Sequence, residues 1–262
     1  GAGGTNFLGD LGGSNTVGAN TLRDFNYEAT RYVFSIGYRY KITEELAVRG
    51  SLFYGRLYGS DEFTTEYHRS NRNLHFRSPI IELTGDIQFS LIKERYGHRY
   101  DLRRVKGRGN RPNLYLFTGI SGIYFNPKAQ HSNGRWYALQ PLGTEWQGVL
   151  PTRNPYSKIS MAIPLGIGFN YMIQRNLGLG LEYGARFSFT DYLDDVSTSF
   201  VDPRVFGDNE IAKYFHDRSN PVWSGSNPGD QRGQDLNNDA YMFLTINVVY
   251  KLRDRGPGLP KF

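Results

Sequence analysis

The chain has 262 residues, enough for one large all-β domain or two smaller ones, with a net charge of +6, a mean hydropathy of −0.53 and no cysteine. The missing cysteine excludes disulfides, thiolate catalysis and Cys-based zinc sites together, and the lack of any run of about eighteen apolar residues excludes a transmembrane helix. With 19 Tyr, 17 Phe and 31 Gly, the composition favours strands joined by irregular loops over helices.

Taken in chain order, alternation of apolar and polar residues predicts eight strands. The first is 1–8, GAGGTNFL; with no basic segment or apolar core ahead of it, any secretory signal is expected to have been removed or never to have existed. The second, 29–42, sets Tyr32, Phe34, Ile36, Tyr38, Tyr40 and Ile42 against Arg31, Ser35, Arg39 and Lys41. The third is 46–58. In the fourth, 77–92, Ile81, Leu83, Ile87 and Phe89 alternate with Glu82, Asp86 and Gln88. The fifth is 113–126, and like the third it alternates too weakly to fix its register. The sixth, 157–172, opposes Ile159, Met161, Ile163, Leu165, Ile167, Phe169 and Tyr171 to Ser160, Ala162, Gly166, Gly168 and Asn170. The seventh, 177–190, opposes Leu177, Leu179, Leu181, Tyr183, Ala185, Phe187 and Phe189 to Glu182, Arg186, Ser188 and Thr190. The last, 240–252, opposes Met242, Leu244, Ile246, Val248, Tyr250 and Leu252 to Thr245, Asn247 and Lys251.

A strand has period two, so these sets are faces. The apolar face is long and aromatic for a strand half-buried in a soluble protein, and lipid outside with a polar lumen inside explains it better. The expected fold is all-β: an eight-stranded antiparallel transmembrane β-barrel over 1–252 with a periplasmic tail, 253–262. The low mean hydropathy is compatible, because a barrel carries its apolar residues at alternate positions and dilutes them with polar loops.

The connections point the same way. Thr43–Glu45 and Gln174–Asn176 read as tight turns, whereas 9–28, 59–76, 127–156 and 191–239 are long and rich in Gly, Asn, Asp, Ser and Pro. In an outer-membrane barrel the short turns face the periplasm and the long loops face outside. One longer connection, 93–112, is periplasmic by parity and concentrates the excess positive charge. Its Lys93, Arg95, Arg99, Arg103, Arg104, Lys106, Arg108 and Arg111 face only Glu94 and Asp101. Its plainest reading is a solvated, disordered segment. Nucleic-acid binding would need a recognition helix or stacking platform that the sequence lacks. The sharper reading is a docking element for an acidic or polar partner beneath the membrane, contacted by Arg95, Arg99, Arg103, Arg104, Lys106 and Arg108.

The inferred lumen holds Arg31, Arg39, Lys41, Arg49, Glu82, Asp86, Glu182, Arg186 and Lys251. Eight strands enclose a space that side chains nearly fill. Arg39, Arg49, Glu82, Asp86, Glu182 and Arg186 are therefore expected to form an ion-pair plug rather than line a channel. Glu82 and Asp86 could exchange protons with a substrate, but the surrounding cations favour a structural role. His68, His75, His98, His131 and His216 fall in predicted loops without a grouped carboxylate and nucleophile. Asp191, Asp194 and Asp195 could offer oxygen to calcium, but they lack the spacing of a calcium loop and are expected to bond their own backbone. No metal or cofactor is expected. Trp136, Tyr137, Trp146, Tyr192, Phe200 and Trp223 are expected to fold loops 127–156 and 191–239 against one another over the barrel mouth.

Six stretches carry a resemblance over nearly the whole chain: GGTNFLGDLG (3–12), YFNPKA (124–129), WYALQPLGTEWQG (136–148), IPLGIGFNYMI (163–173), FTDYLDDVSTSFVD (189–202) and the QRG ahead of the YMF strand (231–243). In these the chain resembles the PorG-like outer-membrane β-barrel proteins of the Bacteroidota, associated with type IX secretion. The resemblance implies a small barrel among outer-membrane lipids that contacts the periplasmic ring of PorK and PorN, called GldK and GldN in gliding bacteria. It brings no catalytic residues. The basic segment 93–112 lies outside the matched stretches, so the tail 253–262 is a second place for that contact. The other readings are a small-solute channel or lipid-active barrel enzyme, and a soluble lipocalin-like binder, which would need apolar side chains inside.

Overall fold

The computed structural model describes residues 1–11, 27–64, 66–93, 112–148, 153–174, 176–234 and 237–252. Ten strands run in chain order as β1 (Ala2–Leu8), β2 (Arg31–Lys41), β3 (Leu46–Ser60), β4 (His75–Ile92), β5 (Asn113–Phe125), β6 (Lys128–Gln130), β7 (Trp136–Ala138), β8 (Ile159–Met172), β9 (Leu177–Ser188) and β10 (Ala240–Tyr250). Eight of them close a ring in the order β3-β2-β1-β10-β9-β8-β5-β4, shut by the β3–β4 pairing, and every neighbouring pair is antiparallel. The remaining two, β6 and β7, form a hairpin that continues the wall beyond β5 through the Arg77↔Lys128 pair. The connections at 43–45 and 174–176 are tight, held by Leu46 and Leu177 carbonyls that accept from Thr43 and Gln174.

All eight expected strands are present. The larger differences are at the long-loop end, where β3 runs to Ser60 and β4 begins at His75, paired from Leu46↔Phe89 to Ser60↔His75. His75 is therefore a strand residue, not a loop residue. The register that the sequence leaves open is set by facing pairs. Val48, Leu52 and Tyr54 of β3 and Leu116, Ile120 and Tyr124 of β5 point outward, while Arg49, Ser51, Phe53, Tyr115, Phe117 and Ser121 point inward. Glycines at 50, 55, 59, 119 and 122 interrupt the alternation there.

The outward face carries an apolar band all round the ring. Ile36 (74% exposed), Leu83 (66%) and Val248 (69%) show that none of the other described residues covers it, and so continuous an apolar surface is one that water does not tolerate. Met242 departs from the expected exposure: it is buried, packed with Leu8, Ala240 and Tyr183, whose Oη donates to its sulfur at 3.4 Å.

The interior is not polar throughout, as a simple lumen would be. Its long-loop half is an apolar core of Phe7, Val33, Leu57, Phe76, Ile80, Ile123 and Phe125, continued upward by Tyr156 and Tyr192. Phe7 meets Phe76 edge-on at 4.8 Å, and Tyr156 stacks between Phe125 at 6.3 Å and Tyr192 at 4.6 Å. This half lies under the folded loops, where water is excluded and apolar side chains gain by burial. Inward glycines on β8 make room for the large rings below it. A Cβ on Gly166 would stand 2.3 Å from the Phe117 ring, and one on Gly168 2.2 Å from that of Tyr115.

Candidate functional site: a plugged lumen beneath a folded cap

Two buried charge networks occupy the barrel. In the lower one, Arg49 of β3 donates through Nε to Asp86 of β4 at 2.9 Å and forks onto both carboxylate oxygens of Glu182 on β9, at 3.0 Å for the Oε1 contact. Tyr115 Oη donates to Glu182 at 2.8 Å, and Gln88 donates to Asp86 at 3.0 Å. Arg39 lies over the Tyr115 ring at 4.5 Å, and Asn170, with its amide oxygen turned inward, accepts from Arg39 at 2.7 Å. In the second network Glu82 accepts from Thr84 at 2.6 Å, Tyr241 at 2.7 Å and Arg186 at 3.4 Å. The Arg186 guanidinium also faces the rings of Phe243 at 4.2 Å and Phe53 at 5.1 Å. Both networks join strands from opposite parts of the ring, so they brace the wall and fill the bore.

Arg39, Arg49, Glu82, Asp86, Glu182 and Arg186 thus all point inward as expected, but into two groups rather than one. Arg31 is not in the lumen. It sits at the rim, donating to the Glu28 and Thr30 carbonyls at 2.8 Å each, with its guanidinium 4.0 Å over Tyr58. Lys41 ends β2 and Lys251 follows β10, both at the short-turn end. The sequence reading placed Gln88 on the inward face with Glu82 and Asp86 but missed the other uncharged members, Thr84, Tyr115, Ser121 and Tyr241. Thr84 and Tyr241 carried a signal, a hydroxyl on an inward position of a strand whose register was legible, whereas Tyr115 and Ser121 stand on the fifth strand, whose register was not.

Over the mouth, the loops 126–158 and 189–239 interlock. Glu145 accepts from the Ser197 and Thr198 amides and the Thr198 hydroxyl, at 3.0, 3.1 and 2.6 Å, and from Arg232 at 2.9 Å. Arg232, 2% exposed, also donates to the carbonyls of Asp195, His216 and Phe215. Arg72, in the short helix α1 (Tyr67–Arg72), pairs with Asp61 through two bonds of 2.8 and 2.9 Å and donates to the carbonyls of Asp10 and Arg232. Both ring nitrogens of His216, in α2 (Glu210–His216), face carbonyls, those of Thr144 and Val201. Tyr137, Tyr192 and Phe200 pack in this cap as expected, against Phe215, Tyr156 and His216 respectively. Trp136 instead stacks on Arg77 at 3.5 Å. Trp223 borders a surface cleft of about 570 Å³ with Glu66, His68, Arg69 and Asp230. Glu66 there caps α1 by accepting from the His68 and Arg69 amides. No three His, Asp or Glu side chains converge on a metal position among the described residues.

The acidic run is only partly bonded to its own backbone. Asp194 accepts from the Val196 amide at 2.9 Å, but Asp195 accepts from Thr144 and Tyr156 of the other loop, both at 2.5 Å. Burial pushes the Asp195 carboxyl up to about 7, against the pull of Arg232. Burial and the mutual repulsion of Asp10, Asp191, Asp194 and Asp239 hold Asp194 and Asp239 well above the usual carboxylate range. In a group whose folded value is raised, the folded state keeps a proton that the unfolded chain has lost. The stability it contributes is complete below the ordinary range and disappears as pH rises through the folded value. His216, lowered by burial and by Arg232, works in the opposite sense on the acid side. The cap should therefore resist trypsin better at pH 5 than at pH 8, and Asp195→Asn should shrink that difference. Equal change in both proteins would show that Asp195 does not drive it.

The basic-turn residues Arg95, Arg99, Arg103, Arg104, Lys106 and Arg108, His98 and the tail 253–262 lie outside the described residues. The ends of the connection are described: Ile92 closes β4 and Asn113 opens β5 at the short-turn end, and Lys93 pairs there with Glu45 at 2.6 Å.

A closed antiparallel ring with an apolar outer band and charged inner layers is the architecture of bacterial outer-membrane proteins. The fold is of the outer-membrane barrel type. A family described as a domain of unknown function (DUF6089) matches residues 147–215, which include β8, β9 and most of α2. Two of the stretches behind the PorG-like resemblance, 163–173 and 189–202, lie within that match. No protein with a curated description matches the chain. Among solved structures, the attachment invasion locus protein Ail of Yersinia pestis, in complex with the heparin analogue sucrose octasulfate, is similar at 10% identity and a TM-score of 0.38. The alignment covers 95% of this chain and 94% of that one. A superposition that loose adds nothing to the strand pairing, which establishes the barrel by itself.

Proposed function

We propose that the protein is a non-enzymatic barrel of the bacterial outer membrane that anchors or positions a periplasmic assembly, the PorK/PorN (GldK/GldN) ring of type IX secretion. The observation that carries the anchor reading is the filled bore: the Arg49–Asp86–Glu182 bridge spans it and the interlocked loops lie over it. Among the described residues there is neither an open path nor a grouped catalytic set, which favours a contribution through the surfaces. The basic connection between β4 and β5 leaves the barrel at the end opposite the cap, where a periplasmic partner would meet it. The PorG-like resemblance supports the choice of partner.

The test is a crosslinking pull-down from native outer membranes, comparing the wild type with a variant lacking residues 97–109. Ring proteins recovered with the wild type alone support this reading and put the contact in that connection. Recovery with both moves the contact to other turns or the tail, and recovery with neither overturns the secretion role. In planar bilayers the wild type should give no steady conductance; regular single-channel steps would favour a small-solute channel instead.

A further inference from the structure

Among the described residues of the ten strands, the outward face carries charge at three positions, Arg56, Arg77 and Lys128, on the neighbouring strands β3, β4 and β6. All three stand at the long-loop end, just beyond an aromatic row in which Tyr54 and Tyr124 flank Ile81 and Tyr54 neighbours Tyr32 at 6.5 Å. Arg77 and Lys128 are direct cross-strand partners, and Arg56 is a diagonal neighbour of Arg77 through the Arg56↔Pro79 and Tyr58↔Arg77 pairs. Like charges directly opposite each other on a sheet destabilise it. None of the ion pairs among the described residues involves any of the three. The two guanidiniums stand over aromatic rings, Arg56 over Tyr32 at 5.4 Å and Arg77 over Trp136 at 3.5 Å, a contact with the ring face that leaves N–H groups for another acceptor.

We propose that Arg56, Arg77 and Lys128 form a binding site for the phosphate of a phosphorylated glycolipid in the outer leaflet. The inference rests on the membrane reading above. The level of the cluster selects the ligand: it adjoins the lipid-facing band and begins where the aromatic row ends, the height of lipid headgroups. Guanidinium edges match phosphate oxygens in pairs, and a bound dianion would offset the Arg77–Lys128 repulsion.

The full chain would be placed in phosphatidylethanolamine vesicles with bis-phosphorylated lipid A, or with the same lipid stripped of phosphate, then extracted in mild detergent and weighed by native mass spectrometry. The wild type should retain the phosphorylated lipid and not the stripped one. The triple variant Arg56→Gln, Arg77→Gln, Lys128→Gln should bind it on the order of 100-fold more weakly, with unchanged heat-modifiable migration. Should the triple variant not fold, Arg56→Gln alone should bind about fivefold more weakly. Equal retention of the two lipids, or by wild type and variant, would overturn the site while leaving the membrane reading intact. So would displacement by inorganic phosphate at the concentration of the lipid, which would make the ligand a free anion. Failure of the wild type to enter either vesicle would overturn the membrane reading and the site with it.

Discussion

Replacing Arg232 by alanine is expected to open the cap while leaving the barrel closed. Arg232 is almost fully buried and ties the Glu145 carboxylate to three carbonyls of the loop 189–239, so its loss strands a buried negative charge and three acceptors. Breaking a buried pair by removing one partner costs about 3–5 kcal/mol. Trypsin should then cut within 126–158 and 189–239 at concentrations that spare the wild type, with heat-modifiable migration of the barrel unchanged. Glu145→Ala should produce the same exposure, because it leaves Arg232 unpaired and removes the acceptor of Ser197 and Thr198. The double variant should fall well short of the sum, since both single changes remove the same interaction. Strictly additive effects, or wild-type protection in either single variant, would show that this pair does not hold the loops.

The second large effect is expected in the bore. Arg49→Leu leaves Asp86 and Glu182 facing each other with only Gln88 and Tyr115 as neutral donors. The loss should again be about 3–5 kcal/mol, read as a lower urea midpoint for the protein in vesicles. Arg49→Lys should recover only part of it, because an ammonium cannot reproduce the guanidinium fork that meets one carboxylate with Nε and the other with both terminal nitrogens. A midpoint unchanged in Arg49→Leu would mean that the wall needs no bracing from inside.

The wall was legible in the sequence because its two solvents differ so strongly. Where a strand meets lipid on one side and a charged bore on the other, as β2, β4, β8, β9 and β10 do, each residue reports its face and the register follows. The third and fifth strands hid theirs because glycine, which has no polarity to report, stands at Gly50, Gly55, Gly119 and Gly122. The apolar half of the interior was hidden for a different reason. Phe76, Ile80, Ile123 and Phe125 are apolar residues on inward positions, and only the loops above them make that arrangement favourable. The cap partners were out of reach as well, since Glu145 and Arg232 are 87 positions apart with no periodicity between them.

The seam of the ring has a consequence for how the protein comes into being. Residues Ala2 to Leu8 pair with Ile246 to Ala240, so the two strands that complete the circle are among the last to be able to meet. Closing so long a loop is slow, because chain entropy is spent before the pairing rewards it. On its other side β1 holds only Ala2–Thr5 against Phe34–Arg31, too short a ladder to keep it in place alone. A nascent chain that has not yet delivered β10 therefore has two open edges, and an escort that shields them until the last strand arrives would decide between membrane insertion and aggregation.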